Sequence, residues 1–294
     1  MRLDDEQESS NYEVGRGGGG GGLGGGGNLL GMLLPLIGSR FGCGGIAIVL
    51  LILAVTGGLG GITSMLGGGG GGGAPSSVSQ PKVEELPAEQ RWTLRVLGST
   101  ERTWSRLFQQ AGKTYDPPIL HFYNISGASG CGAAQSAMGP FYCPTDKRIY
   151  LDTSFFDELK QKFGAPGDFA QAYVIAHEVG HHIQGELGLL GTVNREQRGA
   201  DSAEANALQV RVELQADCYA GVWGKETGLM EAGDVEEGMR AAQAIGDDTL
   251  QREAGRKPMP DSFTHGTAAQ RTRWLKRGLD SGDPNACDTF KGEI

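Results

Sequence analysis

The chain has 294 residues and a formal net charge of −9, with 35 acidic against 26 Lys and Arg side chains, and 51 of its residues are glycine. An acidic balance with no basic patch excludes a nucleic-acid binder. The glycines are concentrated in 17–27 and 67–73, so the N-terminal third cannot supply a packed core, whereas the roughly 200 residues after about Arg91 can.

In chain order, residues 1–45 read as a Gly-rich tail led by the acidic Asp4, Asp5, Glu6 and Glu8. The run 46–66 (IAIVLLILAVTGGLGGITSML) has no charge, and at about 1.5 Å per residue it is long enough to cross a bilayer, which predicts a single transmembrane helix. The apolar run 29–37, broken by Pro35, is too short to span. A cleavable signal peptide competes with the anchor, but the segment starts late, behind an acidic leader, and no small-x-small site follows before Gly67. Arg2, Arg16 and Arg40 precede the span and no Lys or Arg follows until Lys82. This predicts a single-pass protein of the cell membrane, with the N-terminus cytoplasmic and the rest extracytoplasmic, periplasmic or extracellular. Residues 67–90 form a Gly/Pro/Ser linker, and 91–294 form the domain.

Within that domain, 119–125 predicts a strand. Phe141-Tyr142-Cys143, a Pro-Thr-Asp-Lys turn at 144–147 and the run 148–152 read as a β-hairpin. A helix starts near Asp168, a candidate cap behind Pro166, with an apolar stripe at Phe169, Ala172, Tyr173 and Ala176. Its interior carries His177-Glu178-Val179-Gly180-His181. Residues four apart on a helix differ by only about 40°, so both imidazoles leave one face and can converge on one ion. Neutral imidazole suits zinc, and the intervening Glu178 is placed to polarise a metal-bound water as general base. His182 lies about 100° round the helix from His181 and is expected to pack or cap instead.

A catalytic zinc takes three protein ligands. Glu213 is the candidate third, within a helix predicted over 201–227 and ending at Gly228. Asp217, one turn later on the same face, can accept the free ring N–H of a zinc-binding histidine. Glu204 and Glu186 compete for the third position; the first lacks a carboxylate four residues on, and the second sits beside the helix end. Residues 231–256 predict a further helix. His265 precedes an amphipathic helix through Arg271, Trp274, Leu275 and Leu279, which Thr264 or Thr267 would cap. His265 could stabilise the oxyanion of a tetrahedral intermediate, as could Tyr142 or Tyr219. Cys43 stands at the membrane entrance. The remaining four cysteines allow three pairings, of which Cys131 with Cys143, bracketing a short Gly-rich loop, and Cys218 with Cys287 are expected.

The strings His177-Glu178-Val179-Gly180-His181-His182-Ile183-Gln184 and Glu213-Leu214-Gln215-Ala216-Asp217-Cys218-Tyr219-Ala220-Gly221 resemble the gluzincin plan. They also resemble the bacterial family called "putative neutral zinc metallopeptidase". The Gly-rich N-terminus with one membrane segment, Phe141-Tyr142-Cys143-Pro144 leading into Ile149-Tyr150-Leu151-Asp152, and Ser262-Phe263-Thr264-His265-Gly266 extend the resemblance. It implies an α+β, zincin-like domain, with a small sheet, an active-site helix and C-terminal helices, behind a single N-terminal transmembrane helix. It also implies Zn²⁺ as cofactor, with a peptide or protein as substrate. On the residues' own chemistry, His177, His181 and Glu213 would hold the metal, Asp217 would support it, and Glu178 and His265 would be catalytic, with a helix-entry residue as the competing reading of His265. Two readings compete. One is a catalytically weak, membrane-tethered binding or assembly protein with the same fold; the other, an intramembrane protease, is opposed by Asp168, Gln171, Gln184 and Glu186 so close to the motif.

Overall fold

The computed structural model describes residues 1–15 and 80–294, which make one folded unit. Its elements in chain order are β1 (Tyr12–Val14), α1 (Ala88–Gln110), β2 (Ile119–Phe122), β3 (Ser126–Ser129), β4 (Gly132–Gln135), β5 (Phe141–Cys143) and β6 (Arg148–Leu151). The helices α2 (Ser154–Gln161), α3 (Asp168–Glu186), α4 (Leu189–Gln197), α5 (Ser202–Thr227), α6 (Asp234–Ala244), α7 (Asp247–Glu253) and α8 (Ala268–Ser281) follow.

Four strands form a mixed sheet in the order β1-β2-β6-β5. The expected hairpin is β5 antiparallel to β6, with Tyr142 opposite Ile149, and the strand expected at 119–125 is β2, parallel to β6. β1 and the separate hairpin β3–β4 add to that reading. Leu120, Phe122, Ile149 and Leu151 turn into a core shared with Leu94, Leu97 and Trp104 of α1, Phe169 and Tyr173 of α3, and Trp223 of α5.

α3 begins where the sequence places it, but Asp168 is its first residue rather than its cap; Gly167, at φ 129°, takes the N-cap position in a backbone conformation open to glycine. α5 matches its predicted bounds, with Asp201 accepting from the Glu204 N–H and Gly228 closing it in the left-handed region. The single helix expected over 231–256 is broken into α6 and α7 at Gly246, where a Cβ would stand 2.4 Å from the Ala268 nitrogen. α8 carries a capping box between Thr267 and Gln270. Both expected disulfides, Cys131–Cys143 and Cys218–Cys287, are formed.

The fold class is α+β, and the transmembrane helix expected ahead of the domain is corrected. Among the described residues no helix is long and apolar enough to cross a membrane, and the expected span 46–66, like the 29–37 run, the glycine tracts 17–27 and 67–73, and Cys43, lies outside them. The sheet gives the physical reason against a single crossing. β1 precedes the apolar run and its partner β2 follows it, yet Leu120 donates to the Asn11 carbonyl (2.9 Å) and Tyr12 donates to the Pro81 carbonyl (2.5 Å). One crossing between them would place paired strands on opposite faces of a bilayer.

Candidate metal centre

α3 and α5 cross at Gly180, whose missing side chain decides how closely they approach: a Cβ there would lie 2.9 Å from both Cα and O of Ala216. That approach brings Glu213 of α5 up to the face of α3 that presents His177 and His181. Glu213 Oε2 lies 3.2 Å from His177 Nε2 and 3.5 Å from His181 Nε2, and all three candidate donor atoms fall within 4.8 Å of one another. Two donors each about 2.0–2.1 Å from a tetrahedral ion stand about 3.3–3.4 Å apart, so the spacing and the N₂O donor set fit zinc.

Each remaining lone pair or N–H of the cluster is assigned to a partner. Gln209 donates to Glu213 Oε1 (2.9 Å), which leaves Oε2 to face the imidazoles. His177 Nδ1 lies 2.8 Å from Asp217 Oδ1, and His181 Nδ1 lies 2.9 Å from Gln184 Oε1, so in both rings Nε2 points to the shared centre. Asp217, with no exposed surface, is held in turn by Arg271, which donates from Nε to Oδ2 (3.0 Å) and from Nη2 to Oδ1 (2.9 Å), and by the Tyr173 hydroxyl (2.6 Å). Burial pulls the His177 pKa down, but the Asp217 and Glu213 carboxylates outweigh it and hold the metal-free ring up to about 9.

The cluster faces a cleft of about 560 Å³ lined on its polar side by Glu178, His265 and Arg271 and on its apolar side by Phe141, Phe155, Phe163 and Leu190. Glu178 lines this cleft at 7 % exposure and stands outside the three converging donors. His265 also reaches it. Its Nδ1 is 3.4 Å from Asp247 Oδ1, while Asp247 Oδ2 accepts the backbone N–H of Thr264, His265 and Gly266 at 2.8, 2.6 and 3.0 Å. The ring is half exposed, its Nδ1 also lies 3.1 Å from Thr264 Oγ1, and the neighbouring Asp247 carboxylate raises its pKa above the ordinary 6.5.

The other candidates separate from this centre. Tyr219 is buried edge-on against Trp104, and the Tyr142 hydroxyl, though its ring lines the cleft, is 3.2 Å from His182 Nδ1. His182 is packed as expected, fully buried, with Nε2 donating to the Asp116 carbonyl at 2.6 Å. Glu186 is paired with Lys147 (2.9 Å), and Glu204 sits exposed in the first turn of α5. Sequence reasoning missed Gln184, Gln209, Asp247 and Arg271. The two glutamines carried a signal, lying three residues after His181 and four before Glu213; Arg271 and Asp247 reach their partners across the fold.

The chain is 55 % identical to the Escherichia coli protein YpfJ over 207 residues, 69 % of this chain and 72 % of that protein. It is 45 % identical to the Mycobacterium tuberculosis protein Rv2575 over 190 residues, 60 % of this chain and 63 % of that protein. No solved structure matches. The family described as "Putative neutral zinc metallopeptidase" matches residues 1–290, and the chain belongs to it.

Proposed function

We propose that the protein is a zinc-dependent peptidase in which His177, His181 and Glu213 hold the metal and Glu178 is the general base. The observation that carries this reading is the convergence of three donor atoms, from buried His177 and Glu213 and half-buried His181, with Glu213 Oε2 at 3.2 and 3.5 Å from the two imidazole Nε2 atoms and both Nδ1 atoms already engaged by acceptors. When bound, zinc would acidify a water and polarise the scissile carbonyl. Glu178 takes the proton from the attacking water and delivers it to the leaving amine as the C–N bond breaks. His265, whose protonated form is favoured by the neighbouring Asp247 carboxylate and which lines the same cleft, stabilises the negative charge that grows on the carbonyl oxygen. β5 is the edge strand of the sheet, and Phe141 and Tyr142 on it line the cleft, so an extended peptide laid along that edge would gain backbone hydrogen bonds beside the reacting groups.

The test is digestion of a mixed peptide library by the full chain and by Glu178→Gln, with zinc content measured on both. The expected result is equal zinc and a loss of about 10²–10⁴-fold in cleavage rate for the variant. Zinc without cleavage by the wild type would leave a zinc-stabilised binding or assembly protein, and no bound zinc would overturn the reading.

A further inference from the structure

Next to His181 lies a chain of buried amides, neither of which lines the cleft. We infer that Gln184 and Gln215 form a directional relay that fixes the orientation and tautomer of His181 and anchors it to the disulfide-tied C-terminal turn. The inference rests on the zinc-centre reading above. Gln184 has no exposed surface and Gln215 is 7 % exposed. Gln184 Nε2 donates to the Val212 carbonyl (2.7 Å) and to Gln215 Oε1 (3.1 Å), and Gln215 Nε2 donates to the Cys287 carbonyl (3.0 Å).

The two backbone carbonyls give the relay its direction. A carbonyl can only accept, so the Val212 and Cys287 oxygens fix which end of each amide is nitrogen. Gln184 must then present Oε1 to His181 Nδ1 at 2.9 Å, so Nδ1 carries the hydrogen and Nε2 keeps its lone pair for the centre shared with Glu213. Both donor hydrogens of the Gln184 amide are used, so a flip of that amide would set nitrogen against N–H at one end and oxygen against carbonyl at the other. Cys287, at the far end, is bonded to Cys218 on α5, the helix that carries Glu213. His177 is oriented by an ion pair and His181 by neutral amides, which makes Gln184 a positioning residue distinct from Asp217.

The experiment measures zinc affinity by chelator competition, together with melting of the metal-free protein, for the full chain and for Gln184→Met, Gln184→Glu, Gln215→Met and Ile183→Val. Gln184→Met should bind zinc about 10–100-fold more weakly. Gln184→Glu keeps an oxygen for Nδ1 while losing the donor to Val212; it should melt lower, as Gln184→Met does, yet hold zinc closer to wild type. Gln215→Met should have a smaller effect on affinity, because Val212 still orients the Gln184 amide, and Ile183→Val should have none. Equal affinity in Gln184→Met and wild type, or losses that follow melting temperature in all four variants, would overturn the relay while leaving the zinc centre intact. A wild type that binds no zinc would overturn both.

Discussion

Asp217 shows how one carboxylate can be held charged where water does not reach. Its oxygens accept from Arg271, Tyr173 and the His177 ring, so burial, which favours the neutral acid, is outweighed and its pKa is lowered. Arg271→Met would strand that charge, and we expect a loss of about 3–5 kcal/mol in the metal-free protein, read by urea unfolding. At His265 the sign of the pH effect follows from the raised pKa. The protonated ring persists above 6.5 and is lost as pH rises through the folded value, so cleavage should fall on the alkaline side. His265→Gln should flatten that limb and lower kcat by about 10²–10³-fold, and Asp247→Asn should move the limb to lower pH, both seen in a kcat–pH profile. The pairs His177 with His181 and Glu213 with Asp217 were legible in the sequence because helical period places residues four apart on one face, whereas Glu178 stood out only through its place between the two histidines. Arg271 was not, since it meets Asp217 across 54 positions, a contact that leaves no local periodicity.

At the level of elements, the site is a product of close helix crossings. Gly180 lets α3 reach α5, and Gly221 and Gly278 do the same for α5 and α8, where a Cβ on Gly278 would lie 2.0 Å from the Cys218 carbonyl. α5 therefore carries Glu213 and Asp217 between two neighbours whose distances are set by backbone contact. The Cys218–Cys287 bond, spanning 69 residues, ties the C-terminal turn to the same helix. Chain-entropy arguments assign a loop of that length about 4 kcal/mol. Cys218→Ala with Cys287→Ala should lose a stability of that order in denaturant titration, more than the pair Cys131 and Cys143 with its separation of 12. The sequence marked α5 clearly because Asp201 and Gly228 are strong start and stop signals. The break between α6 and α7 was hidden because it arises from the approach of Ala268, a tertiary contact.

At the level of the molecule, the first residues belong to the folded unit. Leu3 and Tyr12 are buried, Glu13 pairs with Arg148 (2.8 Å), and β1 supplies the sheet edge beyond β2. A chain beginning at Gln80 would expose the β2 edge and lose the burial of two large side chains. Each such burial is worth about 1.5–3 kcal/mol, so we expect destabilisation of at least about 3 kcal/mol, partly restored by adding a peptide of residues 1–18. Unchanged stability of the truncated chain would show that β1 does not support the sheet. The strand escaped the sequence reading because only three residues pair, beside a glycine tract whose composition predicts a tail. The hairpin β3–β4 escaped for a related reason: Ser126–Ser129 and Gly132–Gln135 are built of small residues with little strand propensity.

The most direct test of the central claim is zinc K-edge X-ray absorption on the metal-loaded full chain. The predicted spectrum has only nitrogen and oxygen neighbours at about 2.0–2.1 Å, with the outer-shell scattering of two imidazole rings, one of which disappears in His181→Ala. A sulfur shell near about 2.3 Å, a spectrum with no imidazole scattering, or a protein that retains no zinc would contradict a centre made by His177, His181 and Glu213.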